Sequence, residues 1–80
     1  MLPIDSRFIR KPEVLKRLGI SHATLHRHIN NGTFVTPISL GARAVGFLEH
    51  EVDAIIIARM QQQDIVAVVQ DLLKKRNGEG

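Results

Sequence analysis

The feature that most constrains this chain is a short break between two apolar stripes. Val14, Leu15 and Leu18 recur at helical spacing, and Leu25, His28 and Ile29 do so again beyond Gly19-Ile20-Ser21. Pro12 suits the first position of the first helix, where its missing N–H costs nothing. Gly19 supplies the positive φ that ends a helix cheaply, and Ser21 is a good N-cap for the second. Asn31-Gly32 closes that second helix. Two short helices joined by a turn of about three residues form the pattern of a helix-turn-helix.

Beyond Gly32 the period changes. Thr33, Val35, Thr36, Ile38, Val45 and Phe47 favour strands, with Gly41 and Gly46 interrupting them. Ile38-Ser39-Leu40 and Ala44-Val45-Gly46-Phe47 flank Gly41-Ala42-Arg43, which predicts a small β-hairpin with Arg43 at its tip. Pro37 lacks a donor and belongs at the hairpin's start or outer edge. Helix returns over Glu49 to Met60, with Val52, Ile55, Ile56 and Arg59 on one stripe. Glu49, Glu51 and Asp53 crowd its first turns, where the helix dipole favours them, and they are expected to be solvated. Gln61-Gln62-Gln63 is helix or hinge, and Asp64 caps a last helix striped by Ile65, Val68, Val69, Leu72 and Leu73. Phe8 and Ile9 form a short strand or pack as an arm.

Eighty residues bury about 60% of their unfolded surface, enough for one small core. There is no cysteine, so disulfides, thiolate nucleophiles and Cys-based zinc sites are excluded. No run of 18 apolar residues and no basic-then-apolar leader is present, so a cytoplasmic protein is expected. Three aromatics, all Phe, supply a poor stacking platform for single-stranded nucleic acid.

The net charge of +3 conceals an asymmetry. From Ser6 to Arg43 the cations are Arg7, Arg10, Lys11, Lys16, Arg17, Arg27 and Arg43, against Glu13 alone: seven minus one is +6. From Leu48 to Asp64, Arg59 against Glu49, Glu51, Asp53 and Asp64 gives −3. A field split in this way attracts a polyanion to one face.

The residues that fill this order of helix, turn, helix, hairpin and helix resemble a known family. They are Glu13-Val14, Leu18-Gly19-Ile20-Ser21, Thr24-Leu25, Arg27, Ile29, Asn31-Gly32-Thr33-Phe34, Pro37-Ile38-Ser39-Leu40-Gly41, Arg43-Ala44-Val45-Gly46-Phe47 and Glu51-Val52-Asp53-Ala54. Together they resemble the AlpA family of prophage regulatory proteins, which is similar to small winged-helix excisionases and to MerR-type DNA-binding domains. The resemblance covers about residues 8 to 59. It implies a mainly α winged helix-turn-helix with a two-stranded hairpin wing, to which this chain adds a C-terminal helix. It also implies a non-enzymatic protein that binds double-stranded DNA sequence-specifically, as a transcriptional regulator or an excisionase-like directionality factor. Phe47 and Ile55 stand where the family usually carries Trp, and His26 where it carries an aromatic.

On the second helix, Ala23, Arg27 and Asn30 lie opposite the apolar face, flanked by Thr24 and His26, with His22 at the first turn. Arginine pairs with guanine, asparagine with adenine, and a methyl meets thymine. Arg27 is therefore a base reader or a phosphate clamp, and Ser21 both cap and phosphate contact. Arg43 on the wing suits a narrow A·T minor groove. Lys11 and Lys16 are expected on phosphate; Arg7, Arg10 and Arg17 are phosphate contacts or solvated charge. His28, on the apolar side, is expected to be partly buried and hydrogen-bonded. His22 and His26 are four apart, but Ala23-Thr24-Leu25 between them lacks the zinc-protease glutamate. No metal, cofactor or catalytic residue is expected.

The predicted organisation is a DNA-binding domain over residues 1–60, an amphipathic helix over 61–76 and a disordered tail over 77–80. The last helix must bury its stripe, either on Leu15, Leu18 and Ile56 or on a second copy, with self-association slightly favoured. The expected partners are double-stranded DNA, a second copy or cooperative neighbours on DNA, and an integrase or recombinase; no membrane is expected, and the location would be the nucleoid. The rival reading is a protein–protein interaction module that docks through the last helix, with DNA binding secondary or lost.

Overall fold

In a computed structural model the structure describes residues 7–78. Seven elements succeed one another: β1 (Phe8–Ile9), α1 (Lys11–Leu18), α2 (His22–Asn30), β2 (Ile38–Ser39), β3 (Val45–Leu48), α3 (Glu49–Met60) and α4 (Ile65–Arg76). The chain is mainly α, four helices around a small antiparallel sheet.

The turn between α1 and α2 is built as its residues dictate. Gly19 sits at φ +66° and donates its N–H to Leu15 O at 2.8 Å. Any residue with a Cβ would be strained in that left-handed conformation. Two residues on, Ser21 is extended and its Oγ accepts the N–H of Thr24 at 3.2 Å, satisfying one of the orphan donors at the start of α2. Pro12 occupies the second position of α1 rather than the first, still within the turn that needs no N–H.

The expected two-stranded hairpin is part of a three-stranded sheet, ordered β1-β3-β2. Phe8 lies opposite Leu48 and Ile9 opposite Phe47, while Ile38 pairs Gly46 and Ser39 pairs Val45. Phe8 and Ile9 thus form the strand rather than the arm, and because the pairing joins residues about forty apart, no local period announces it. Thr33 to Thr36, despite strand-favouring side chains, form no strand; Phe34 and Val35 instead bury themselves from an irregular segment. Gly46 does not interrupt its strand but lies inside it. A Cβ there would stand 2.7 Å from Leu40 Cδ1 and 3.3 Å from Ile9 O, so glycine leaves room for the Leu40 side chain and for the backbone of β1.

The core gathers Ile9, Val14, Leu25, Phe34, Val35, Phe47, Val52, Ile55 and Val69. Phe34 and Phe47 meet edge to face, centroids 5.6 Å apart, a geometry that adds about 0.5–1.5 kcal/mol beyond the area buried. On α3 the buried face is Glu51, Val52, Ile55 and Ala58, while Arg59 is exposed. The expected stripe is thus rotated toward Ala58, whose small side chain lets α4 approach α3. Gln61 and Gln62 form the turn between them, Gln62 at φ +56°. Asp64 caps α4 through Ala67 N at 3.3 Å. Val69 enters the chain's own core, and Ile65, Leu72 and Leu73 pack partly buried against it. The inner stripe of α4 is therefore covered within one chain. Asn77 closes α4 with its N–H on Leu73 O and Lys74 O, and Gly78 bonds Lys75 O; positions 79–80 of the expected tail lie outside the described residues.

Two ion clusters replace the solvated acids expected on α3. Arg17 binds Glu13 at 2.9 Å, Glu49 at 2.7 Å and Asp53 at 3.1 Å, tying α1 to α3. Its hydrogen bonds to Glu13 and then Glu49 raise the guanidinium pKa, and the bond from Arg17 holds the Glu49 carboxyl below its usual range. Glu51 is 1% exposed and pairs with Arg76 at the end of α4. Apart from Glu13, these partners lie 25 to 36 residues away in sequence, beyond any spacing rule.

Candidate nucleic-acid interface

Two groups of predicted residues gather along α2, one running down its exposed side and one where its start meets the start of α1. The first is a chain of hydroxyls ending in a guanidinium. Ser21 Oγ donates to Thr24 Oγ1 at 3.0 Å, and Arg27 Nη2 donates to the same oxygen at 3.2 Å. The spacing of three residues stacks these side chains one turn apart on a helix. Arg27 stays exposed, so the hydroxyl fixes its head while its remaining N–H groups face solvent.

The second group is cationic. Lys11, at the start of α1, places Nζ 3.2 Å from His22 Nε2. An ammonium only donates, so the imidazole accepts through Nε2 and carries its hydrogen on Nδ1. The His22 and His26 rings lie 5.1 Å apart, tilted by 38°. The start of α1 and the start of α2 thereby come together, an arrangement invisible in a sequence separation of eleven residues.

The remaining predicted residues are exposed without being joined to these groups. Ala23, Asn30, Lys16 and Arg43 are exposed, and the side chains of Asn30, Lys16 and Arg43 make no hydrogen bond or ion pair among the described residues. Arg43 lies in the turn between β2 and β3, as predicted, where Leu40 N–H bonds Ala44 O at 2.8 Å.

Arg17 is the departure. Expected on phosphate or in solvent, it is occupied by three carboxylates instead. Glu13 at i−4 is the one sign of this in the sequence; the other two partners come from α3. The pairing removes one cation and the only acid from the basic segment. Arg7, Arg10, Lys11, Lys16, Arg27 and Arg43 are left, seven minus one or six cations, with no carboxylate among residues 7–43 left to offset them.

His28 faces inward. Its Nδ1 lies 3.0 Å from Thr33 Oγ1, and Thr33 in turn donates to His28 O at 3.1 Å. It borders a cavity of about 220 Å³ shared with Leu18, Ile20, Phe34 and Arg59. Burial, then the charges of Arg59 and Arg27, hold its pKa below the ordinary imidazole value. Among the described residues no group of three or more His, Cys, Asp or Glu side chains is placed to hold a metal ion. No helix among them is long and apolar enough to cross a membrane.

Residues 7–60 match the family described as the prophage CP4-57 regulatory protein (AlpA). The chain is also 39% identical over 56 residues to an uncharacterised protein, ORF88, of Enterobacteria phage P4. That alignment covers 70% of this chain and 64% of the relative, so it spans less than two thirds of the phage protein's length. No solved structure matches the chain. With the family match spanning α1, α2, the hairpin and α3, the chain belongs to the AlpA family of prophage regulatory proteins.

Proposed function

We propose that this protein is a winged helix-turn-helix that binds double-stranded DNA sequence-specifically and has no catalysis of its own. The observation that carries the reading is the Ser21–Thr24–Arg27 chain, which runs from the cap of α2 along one side of the helix to an exposed guanidinium in its last turn. In this docking mode the N-terminal part of the second helix reaches furthest into the major groove, and the chain starts there at Ser21 and Thr24. Arg27 reads guanine or clamps phosphate, Asn30 and Ala23 offer an amide and a methyl to base edges, and Thr24, His22 and His26 flank them. Lys11, Lys16 and Ser21 hold the backbone, and Arg43 carries the wing toward a minor groove. Residues 1–60 form the DNA-binding unit and 61–76 complete its core. Promoter and attachment-site DNA are both in range of this reading, since regulation and excision use the same contacts. An integrase would be the natural protein partner in excision, and the nucleoid the working location.

The test is a gel-shift titration of attachment-site and promoter duplexes against random duplex at several salt concentrations. With about four to six phosphates neutralised, log affinity should fall against log salt with a slope of about −4 to −5. A slope near zero defeats the reading.

A second reading has its own observation. Ile57, Met60 and Val66 on α3 and α4 are 52%, 77% and 40% exposed, beside a groove lined by Ala54, Ala58, Ala67 and Val68. This rim suits an interaction module or a homodimer. Sedimentation as a monomer at high concentration, with no partner protein shifting it, counts against both.

A further inference from the structure

Helix α4 lies beyond residues 7–60, which match the family, so its contribution has to be read from its own contacts. Its last residue, Arg76, spreads one guanidinium over two other parts of the chain. Nη2 and Nε, the latter at 3.3 Å, bind the two carboxylate oxygens of Glu51 at the start of α3. Nη1 donates to Thr36 O at 3.1 Å and to Thr36 Oγ1 at 3.2 Å. Arg76 is 13% exposed at its side chain and Glu51 2%, so the pair is largely withdrawn from water.

Neutralising Glu51 does not require the arm on Thr36. Nor is stability a sufficient reason for such a pair, because apolar residues of similar volume commonly replace one without loss. What the third arm does is local. Thr36 stands two residues before β2, and Pro37 between them fixes φ and offers no N–H. β2 is an edge strand of two residues, bonded to β3 alone. Val35 is fully buried and Thr36 is exposed, so the chain leaves the core there and next enters the hairpin. Arg76 holds the backbone at the point where the wing departs.

We propose that Arg76 is a positioning residue for the wing: through Thr36, α4 sets the placement of β2 and of the Arg43 turn, and with it the wing's share of DNA affinity. The first half stands on the contacts above; the second rests on the DNA-binding reading. Arginine is needed because lysine can keep the charge on Glu51 but has no planar fork to reach Thr36 as well.

The experiment uses the full chain with Arg76→Lys, and with Glu51→Met/Arg76→Met as the variant that leaves no unpaired charge. Circular dichroism establishes that each is folded. Amide exchange then reads the wing directly. The Leu40 amide and its β3 neighbours should exchange about tenfold faster in both variants, with the amides of Val52 and Ile55 unchanged. Unaltered exchange at the hairpin, in whichever variant folds, overturns the positioning role whatever the DNA results. For the second half, Arg43→Ala is made in the wild-type and Arg76→Lys backgrounds and titrated on duplexes with A·T-rich flanks. The affinity lost with Arg43 should be several-fold in the wild type and close to none in Arg76→Lys. Equal losses overturn the coupling. No loss in either background, alongside faster hairpin exchange, refutes the wing's role in DNA binding and leaves the positioning intact.

Discussion

Val69→Ala separates a helix that completes its own chain's core from one that waits for a second copy. Val69 is 2% exposed on α4 and belongs to the cluster that includes Val52, Ile55 and Phe47. The change removes two methylene equivalents, about 1.6 kcal/mol of transfer free energy at roughly 0.8 kcal/mol each. A residual void adds up to about 1 kcal/mol at some 24 cal/mol per Å³. The expected loss is therefore about 1.5–2.5 kcal/mol. A domain of 80 residues has about 4–12 kcal/mol in all, so the variant should still fold. Its unfolding entropy is near 0.17 kcal/mol/K, so Tm should fall by about 9–15 °C. The control is Val66→Ala, three residues earlier on the same helix and 40% exposed, which should cost less than about 0.5 kcal/mol, or roughly 3 °C. Thermal melts followed by circular dichroism over a tenfold range of protein concentration provide the assay. If Val69→Ala loses no more than Val66→Ala, α4 does not complete the core. If the wild-type Tm rises with concentration, a second copy shares in burying that face and the single-chain account is wrong.

Arg27→Ala should weaken specific DNA binding by about 1–3 kcal/mol and relax selectivity if Arg27 reads a base, or weaken binding alike on all duplexes if it holds phosphate; unchanged affinity on both excludes either role. Ser21→Ala should cost about 1 kcal/mol of stability through the lost cap, read by urea melts, and an unchanged midpoint would show that the start of α2 is satisfied in another way. His28 sets a pH dependence. Its folded pKa is depressed, chiefly by burial, so the unfolded chain takes up the proton first as pH falls. Its full contribution is present above about pH 6.5 and is lost as pH falls from there toward the folded value. Urea melts at pH 7.5 and 5.5 should show lower stability at the acid end, and His28→Gln should reduce that difference; an identical difference in the variant refutes the assignment.

Much of the fold is written in local chemistry. Gly19 must adopt a left-handed φ to stop α1, Ser21 and Asp64 carry the oxygens that cap α2 and α4, and Gly41-Ala42-Arg43 marks the hairpin turn. Each feature involves residues only a few positions apart, so spacing alone reveals it. The exposed face of α2 is legible from the helical period in the same way. What only the tertiary structure decided is which groups meet across the chain. Phe8-Ile9 reads in the sequence as either a short strand or an arm, and pairing with Leu48 and Phe47 decides for the strand. Arg17 looks like any other cation of the basic segment until α3 brings Glu49 and Asp53 to it. Glu51 looks like a solvated first-turn acid until α4 brings Arg76. A charge's environment depends on neighbours that folding supplies from 25 or more residues away, and no period in the sequence records that distance.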